Sequence, residues 1–165
     1  VEGDLQLTLL DDVVNANYVG TALPRAVVIG PDGYLYVSSG VSWQSTGDSS
    51  NFVSRFDAQT GEFVDVAFSS SDSGIFFDLP WAMEFGPDNK LYVAGRRSNN
   101  VVRYDPSTDA LEEFVGSGNG VYRPAGLTFG SDGSLYVANS DSGDFADTES
   151  MRNQVVQLSG PNSTN

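Results

Sequence analysis

The chain has 165 residues, enough for one domain with a real hydrophobic core. Apolar residues make up 39%, which excludes a disordered chain, and 18 Gly with 7 Pro favour many short elements joined by turns, as in all-β proteins. The net charge of −14 makes nucleic acid and anionic membrane surfaces poor partners, because like charges repel.

Two residue types that support much enzyme chemistry are missing. The absence of Cys excludes thiolate metal sites and thiol nucleophiles. The absence of His removes the commonest general base and the usual zinc ligand, and with them a Ser-His-Asp triad. No run of residues approaches the ~20 apolar residues of a membrane span.

The sequence favours export. It starts at Val1 and not at an initiator Met, as after removal of a signal segment, and Asn162-Ser163-Thr164 is an acceptor triplet for glycosylation. The low Lys content points the same way. We therefore expect a secreted or cell-surface protein, extracellular or periplasmic.

The predicted elements begin with a single strand. Residues 1–23 contain the stretch "DLQLTLLDDV" from Asp4, which predicts a strand near Leu5–Leu10 and then a lead-in loop. We interpret this strand as the outer, fourth strand of a sheet whose other strands come from elsewhere.

Four strands are predicted in residues 24–79. The continuous apolar run Ala26–Ile29 suits an inner strand with neighbours on both faces. The pair Asp32-Gly33 predicts a tight turn into Leu35–Val37, since such turns tolerate positive φ. A third strand follows, and the fourth is predicted at Phe63–Phe68.

This pattern is an internal repeat. The stretch "GPDGYLYV" at Gly30–Val37 returns as "GPDNKLYV" at Gly86–Val93 and as "GSDGSLYV" at Gly130–Val137, and the prolines that open the units are 56 and then 44 residues apart. Periods of ~40–50 residues with several strands per unit are typical of β-propellers. The sequence therefore predicts an all-β β-propeller segment with four-stranded antiparallel blades at 24–79 and 80–123 and an incomplete blade at 124–165.

Three blade equivalents do not close a ring, because natural propellers have about four to eight blades. The chain is expected to be half of a six-bladed ring or a fragment of a longer propeller. Its expected partner is another copy of itself or further propeller blades, which would cover the apolar faces of the end blades. Pairing is favoured, since the strand near Leu5–Leu10 can complete the incomplete blade.

The repeat resembles the NHL family and the related gluconolactonase (senescence-marker protein) and streptogramin-lyase families of six-bladed propellers. The resemblance rests on "PAGLTFGSDGSLYVA" from Pro124 to Ala138 and on "NNVVRYDPST" from Asn99 to Thr108, and it covers nearly the whole chain from Pro24. It implies the fold and leaves the function open, because such scaffolds host lyases, lactonases, lectins and passive binders.

The resemblance also implies where a lactonase would hold its divalent cation. In that family the oxygen ligands come from the start of the inner strands and from the position after the "LYVA"-like strand, and Ca²⁺ or Mg²⁺ suits such ligands. These positions hold Arg25, Trp81, Ala125, Ser39, Gly95 and Asn139. Among them Asn139 is the one candidate ligand, and the His that the lyase needs is missing.

Three side chains beside the prolines that open the inner strands are candidates for a binding site at the propeller mouth. Arg25, Trp81 and Arg123 combine an aromatic ring with guanidinium groups, which can stack on a sugar or bind a carboxylate. The alternative is structural: Trp81 packs between blades and Arg25 pairs with a nearby acid.

Two loops carry further candidates. The stretch "SDSGDFADTES" after Asn139 spaces several carboxylates that can converge on a hard cation such as Ca²⁺, although it lacks the spacing of an EF-hand loop. The proposed ligands are Asp141, Asp144, Asp147 and Glu149, and the alternative is a solvated loop. Trp43, on a Ser-rich loop, is a candidate contact for a partner or glycan.

These observations favour a non-catalytic, exported propeller module that presents its faces to a protein or glycan partner. Cofactors are not implied, apart from the Ca²⁺ of the acidic loop. The alternatives are a divalent-metal-dependent lactonase of the gluconolactonase type and a lectin-like sugar binder.

Overall fold

The computed structural model describes residues 23–40, 51–71, 73–140 and 153–161, and within these ranges the chain is all-β. No helix in the described ranges is long and apolar enough to cross a membrane. The strands are β1 Pro24–Ile29, β2 Tyr34–Ser39, β3 Phe52–Asp57, β4 Phe63–Ser69, β5 Pro80–Phe85, β6 Leu91–Gly95, β7 Asn100–Asp105, β8 Ala110–Val115, β9 Pro124–Phe129, β10 Leu135–Asn139 and β11 Val155–Leu158.

The strands form three antiparallel sheets in chain order, which confirms the predicted propeller blades. The first two sheets have the orders β1-β2-β3-β4 and β5-β6-β7-β8, and the third contains β9, β10 and β11, with β10 in the middle. The predicted outer strand near Leu5–Leu10 lies outside the described residues.

The aspartates of the repeated phrase close the turns between inner and second strands. Asp32 Oδ1 accepts a hydrogen bond from the Tyr34 N–H at 3.2 Å, and Asp132 Oδ1 accepts one from the Ser134 N–H at 3.0 Å. The residue after each aspartate has positive φ: 85° at Gly33, 59° at Asn89 and 78° at Gly133. This is the predicted turn chemistry.

In the first two blades the same aspartates also hold a core tyrosine, which the sequence pattern had not revealed. The hydroxyl of Tyr36 donates to Asp32 Oδ2 at 2.7 Å, and that of Tyr92 donates to Asp88 Oδ2 at 3.2 Å. Both tyrosines are fully buried. A side-chain hydrogen bond between residues four apart in the sequence thus links each turn to the core.

Neighbouring blades pack through one contact that repeats. The ring of Phe85, at the end of β5, lies edge-on to Tyr36 of the blade before it, with centroids 5.3 Å apart. Phe129, at the end of β9, makes the same contact with Tyr92 at 4.9 Å. A Cβ on Gly86 would lie 2.7 Å from the Tyr92 ring and 3.0 Å from that of Phe129, so this packing requires glycine.

Among the residues that the structure describes, nothing covers the outward faces of the first and last sheets. Val27 and Ile29 of β1 are 62% and 65% exposed, and Val155 of β11 is 69% exposed. At the position equivalent to Val155, Val53 and Val101 of the other blades are fully buried. The predicted covering of the inner strand on both faces therefore fails for β1 within the described residues, because no blade lies against its outer face.

Candidate functional site

The three inner strands start at the same end of the segment, and a repeated asparagine holds the residue before β5 and the residue before β9. Leu79 and Arg123, which precede the opening prolines, have φ of 56° and 42°. Asn51 Oδ1 accepts a hydrogen bond from the Leu79 N–H at 3.0 Å, and Asn99 Oδ1 accepts one from the Arg123 N–H at 2.8 Å. The signal was present in the sequence, since both asparagines open the third-strand repeat.

Trp81 lies at this end and carries two guanidinium groups. The Cζ of Arg25, from the preceding blade, is 4.9 Å from the Trp81 ring centroid, and that of Arg96, which follows β6, is 4.8 Å away. These are cation–π distances. The sequence predicted Arg25 and Trp81 as neighbours at the mouth, but it did not place Arg96 there. We call Arg25, Trp81, Arg96 and Arg123 the arginine cluster.

Within the described residues, the charge on Arg96 has no carboxylate partner. Its side chain is buried, with 9% of the residue exposed. Burial lowers the pKa of Arg96, and the positive charge of Arg123 lowers it further. The Nε of Arg25 is also buried and has no hydrogen-bond partner in the described part of the chain. The cluster therefore concentrates positive charge on an otherwise acidic protein.

Cations elsewhere in the described residues are paired with carboxylates. The ion pairs are Arg55–Asp65, Lys90–Asp105 at 3.2 Å, Arg97–Asp78 at 3.6 Å and Arg103–Glu112. Arg25 instead lies on Trp81, so the alternative that it pairs with a nearby acid does not hold within these ranges. The neighbours Arg96 and Arg97 thus differ sharply, since the second is half-exposed and paired.

Asn139, the one metal-ligand candidate from the lactonase resemblance, holds the chain in place. It is 5% exposed. Its Oδ1 accepts a hydrogen bond from the Tyr122 N–H at 3.0 Å, and its Nδ2 donates to the Gly120 carbonyl at 2.8 Å. Both ends of the amide are therefore engaged in fixing the loop before β9.

The remaining predicted site residues lie outside the described ranges. They are Trp43 and the four proposed ligands Asp141, Asp144, Asp147 and Glu149. Within the ranges that the structure covers, no three His, Cys, Asp or Glu residues gather as a metal site would require.

A cleft of about 450 Å³ lies at the other end of the blades, among the turns that follow the inner strands. Its lining includes Asp32, Asp88 and Asp105. These carboxylates already accept hydrogen bonds from Tyr36, Tyr92 and Ser107 respectively. Their arrangement is explained by the turns, and the arginine cluster is the better candidate site.

No protein-family model matches the chain, and no curated protein matches it. Among solved structures, hydrazine synthase from Kuenenia stuttgartiensis is 26% identical with a TM-score of 0.51, over 71% of this chain and 29% of that one. A structural-genomics target assigned as a gluconolactonase is 18% identical with a TM-score of 0.54, over 85% and 45%. Virginiamycin B lyase from Staphylococcus aureus is 18% identical with a TM-score of 0.48, over 82% and 40%.

The chain therefore spans less than half of the length of these solved proteins. The likeness to the gluconolactonase target confirms the predicted β-propeller fold and the predicted resemblance at the level of the fold. At 18% identity it does not extend to activity.

Proposed function

We propose that the chain is a non-catalytic, exported β-propeller module that binds a partner through the end of the blades where the inner strands start. The observation that carries the proposal is the state of Asn139, whose amide oxygen and nitrogen are both committed to backbone groups. Of the other positions that the resemblance singles out, Arg25 and Trp81 supply a cation and an aromatic ring, which suit binding better than metal coordination.

A divalent-metal-dependent lactonase is the second candidate, because a solved structure with this fold is assigned as a gluconolactonase. The two proposals differ in what Asn139 does. A metal ligand would present its side-chain oxygen to the cation, whereas here that oxygen accepts the Tyr122 N–H.

The change Asn139→Ala separates these proposals. We expect it to lower the free energy of unfolding by about 1–3 kcal/mol, because it removes the hydrogen bonds that Asn139 makes to the half-buried backbone groups of Gly120 and Tyr122. Urea denaturation measures this loss. We also expect the unchanged protein to hydrolyse no lactone when Ca²⁺, Mg²⁺, Mn²⁺ or Zn²⁺ is added. Metal-dependent hydrolysis that disappears in Asn139→Ala would establish the lactonase instead.

The acidic loop gives a separate expectation. If Asp141, Asp144, Asp147 and Glu149 bind Ca²⁺, millimolar Ca²⁺ should raise the melting temperature more than Mg²⁺ does, since a ligand that binds the native state alone stabilises it. A fourfold change of these residues to Asn and Gln should abolish the difference. Equal shifts of the melting temperature with the two cations would favour the alternative, a solvated loop without a Ca²⁺ site.

We further propose that the open blade faces are covered by a second copy of the chain. Both halves of the repeated blade contact are available: Val27 and Ile29 on the first blade, and Tyr136 and Val155 on the last. A protein or glycan ligand would then bind the completed ring.

A further inference from the structure

We propose that the arginine cluster is a binding site for the anionic group of a ligand, such as a carboxylate, a sulfate or a phosphate. This inference rests on the proposed binding function and deepens it by giving the chemical class of the ligand. Guanidinium groups bind such oxyanions through charge-assisted and often bidentate hydrogen bonds.

The first argument is the distribution of cations. In the described residues Arg55, Lys90, Arg97 and Arg103 are each paired with a carboxylate. Arg25 and Arg96 are not, although the chain has 22 Asp and Glu against 8 Lys and Arg. Arg96 is buried, the Nε of Arg25 is buried, and within the described ranges neither guanidinium has a carboxylate partner, which leaves room for a counter-ion from a ligand.

The second argument is energetic. A buried charge without an opposite charge is costly, and a second cation nearby increases the cost. Arg96 is buried and feels the charge of Arg123. Proteins retain such local costs mainly where function requires them. A bound anion would offset both the desolvation of Arg96 and its repulsion by Arg123.

The third argument concerns Trp81. Stacking of a sugar on this ring was one expectation from the sequence, but the ring already carries two guanidinium groups. An aromatic face holds a guanidinium by cation–π attraction while leaving its N–H groups able to donate outward. Trp81 therefore positions the arginines, and the cluster recognises the anionic group of a ligand in preference to a sugar ring.

The cluster also lies where the three inner strands start. Arg25 follows the opening proline of β1, Trp81 follows that of β5, Arg96 follows β6, and Arg123 immediately precedes β9. The backbone of Arg123 is held by its N–H···Oδ1 bond to Asn99. A site at the start of the inner strands lies where propeller ligands are bound most easily, at the mouth of the central channel.

Fluorescence of Trp81 tests the inference. In a Trp43→Phe background Trp81 is the single tryptophan, because the sequence contains two. Sodium sulfate and sodium glucuronate are expected to change its emission in a saturable way at constant ionic strength. Glucose, a sugar of similar shape without the charge, is expected to have no effect.

Arg96 and Arg97 offer a matched pair of variants. Both changes to Gln remove one positive charge, but Arg97 is 47% exposed and paired with Asp78. Arg96→Gln is expected to weaken glucuronate binding about tenfold or more, and Arg97→Gln less than about twofold. Sulfate is expected to raise the melting temperature of the unchanged protein but not that of Arg96→Gln, which without anion should be at least as stable.

Three results would overturn the anion site: no emission change with any anion up to ~50 mM, an equal response to glucose, or equal losses in Arg96→Gln and Arg97→Gln. These results are distinguishable from failure of the proposed function, which would appear as metal-dependent hydrolysis. Selective binding of sulfate and not glucuronate, or the reverse, identifies the anionic group and supports the site.

Discussion

The chain is expected to behave in solution as a dimer of twice its 17.6 kDa mass, and the single change Ile29→Asp is expected to convert it to monomers. Ile29 is the first-blade equivalent of Phe85 and Phe129, each of which packs on a tyrosine of the blade before it. Tyr136 is the tyrosine of that set whose partner is not in the described residues. A second copy that repeats the same step seats Ile29 on Tyr136.

The expected effect is large because a two-fold ring contains this contact twice. Exposing an isoleucine forfeits about 1.5–3 kcal/mol, and burying a carboxylate in its place costs more. Two such contacts together should raise the dissociation constant by roughly 10⁴-fold or more. Sedimentation at a series of concentrations measures the change. Phe76→Asp is the matched control, because Phe76 is 61% exposed but lies in the connection between β4 and β5.

Mixing two variants tests the direction of the contact. Ile29→Asp damages the first-blade face and Val155→Asp the last-blade face, so each is expected to be monomeric alone. Together they retain one intact contact, first face on last face, and should form a weaker heterodimer. Monomers in the mixture would contradict the pairing of first face on last face, and a weak homodimer of each variant alone would mean that identical faces pair. An unchanged protein that is already a soluble monomer would contradict the pairing altogether.

The fold was predictable because the same sequence pattern occurs in each blade, so that each copy supports the interpretation of the others. Pro, the apolar run and an Asp-Gly or Asp-Asn turn recur in order, and glycine at Gly33 and Gly133 indicates the positive φ that these turns need. Local chemistry of this kind needs no knowledge of distant contacts.

The site was predictable only in part, because it depends on contacts between blades. Arg25 and Trp81 occupy adjacent inner strands, and their shared position after proline placed them together. Arg96 follows a second strand and reaches the same ring from another direction, which no local pattern shows. The lactonase resemblance made Asn139 a candidate ligand because of its position and its amide oxygen. Only its hydrogen bonds to Gly120 and Tyr122 show that the side chain holds the loop before β9.

Three buried tyrosines make alkaline unfolding the second large expected effect. Burial raises the pKa of Tyr92 to about 12, and it raises the pKa values of Tyr36 and Tyr104 further, assisted by their hydrogen bonds to Asp32 and Asp109. A phenol with a raised pKa stays protonated in the folded state while the unfolded chain ionises at its ordinary pKa of about 10. Its contribution to stability is complete below that pH and is lost as the pH rises above it.

The number of protons sets the slope of this loss. Between about pH 10 and pH 12 the native state holds up to about three more phenolic protons than the unfolded state, so the free energy of unfolding should fall by up to about 4 kcal/mol per pH unit. Over that window the loss approaches the ~5–15 kcal/mol by which such domains are stable. The chain is therefore expected to unfold cooperatively below about pH 12.

Urea titrations at pH values from about 8 to 12 measure the slope, and Tyr104→Phe is expected to reduce it by about one third because it removes one of the three groups. Its stability at neutral pH should change by only about 1 kcal/mol, from loss of the hydrogen bond to Asp109. Tyrosinate absorbance from the buried rings should rise together with the loss of the circular dichroism signal, since a phenolate cannot remain in the blade core. Ionisation of these rings in a chain that stays folded would contradict the burial on which the prediction rests.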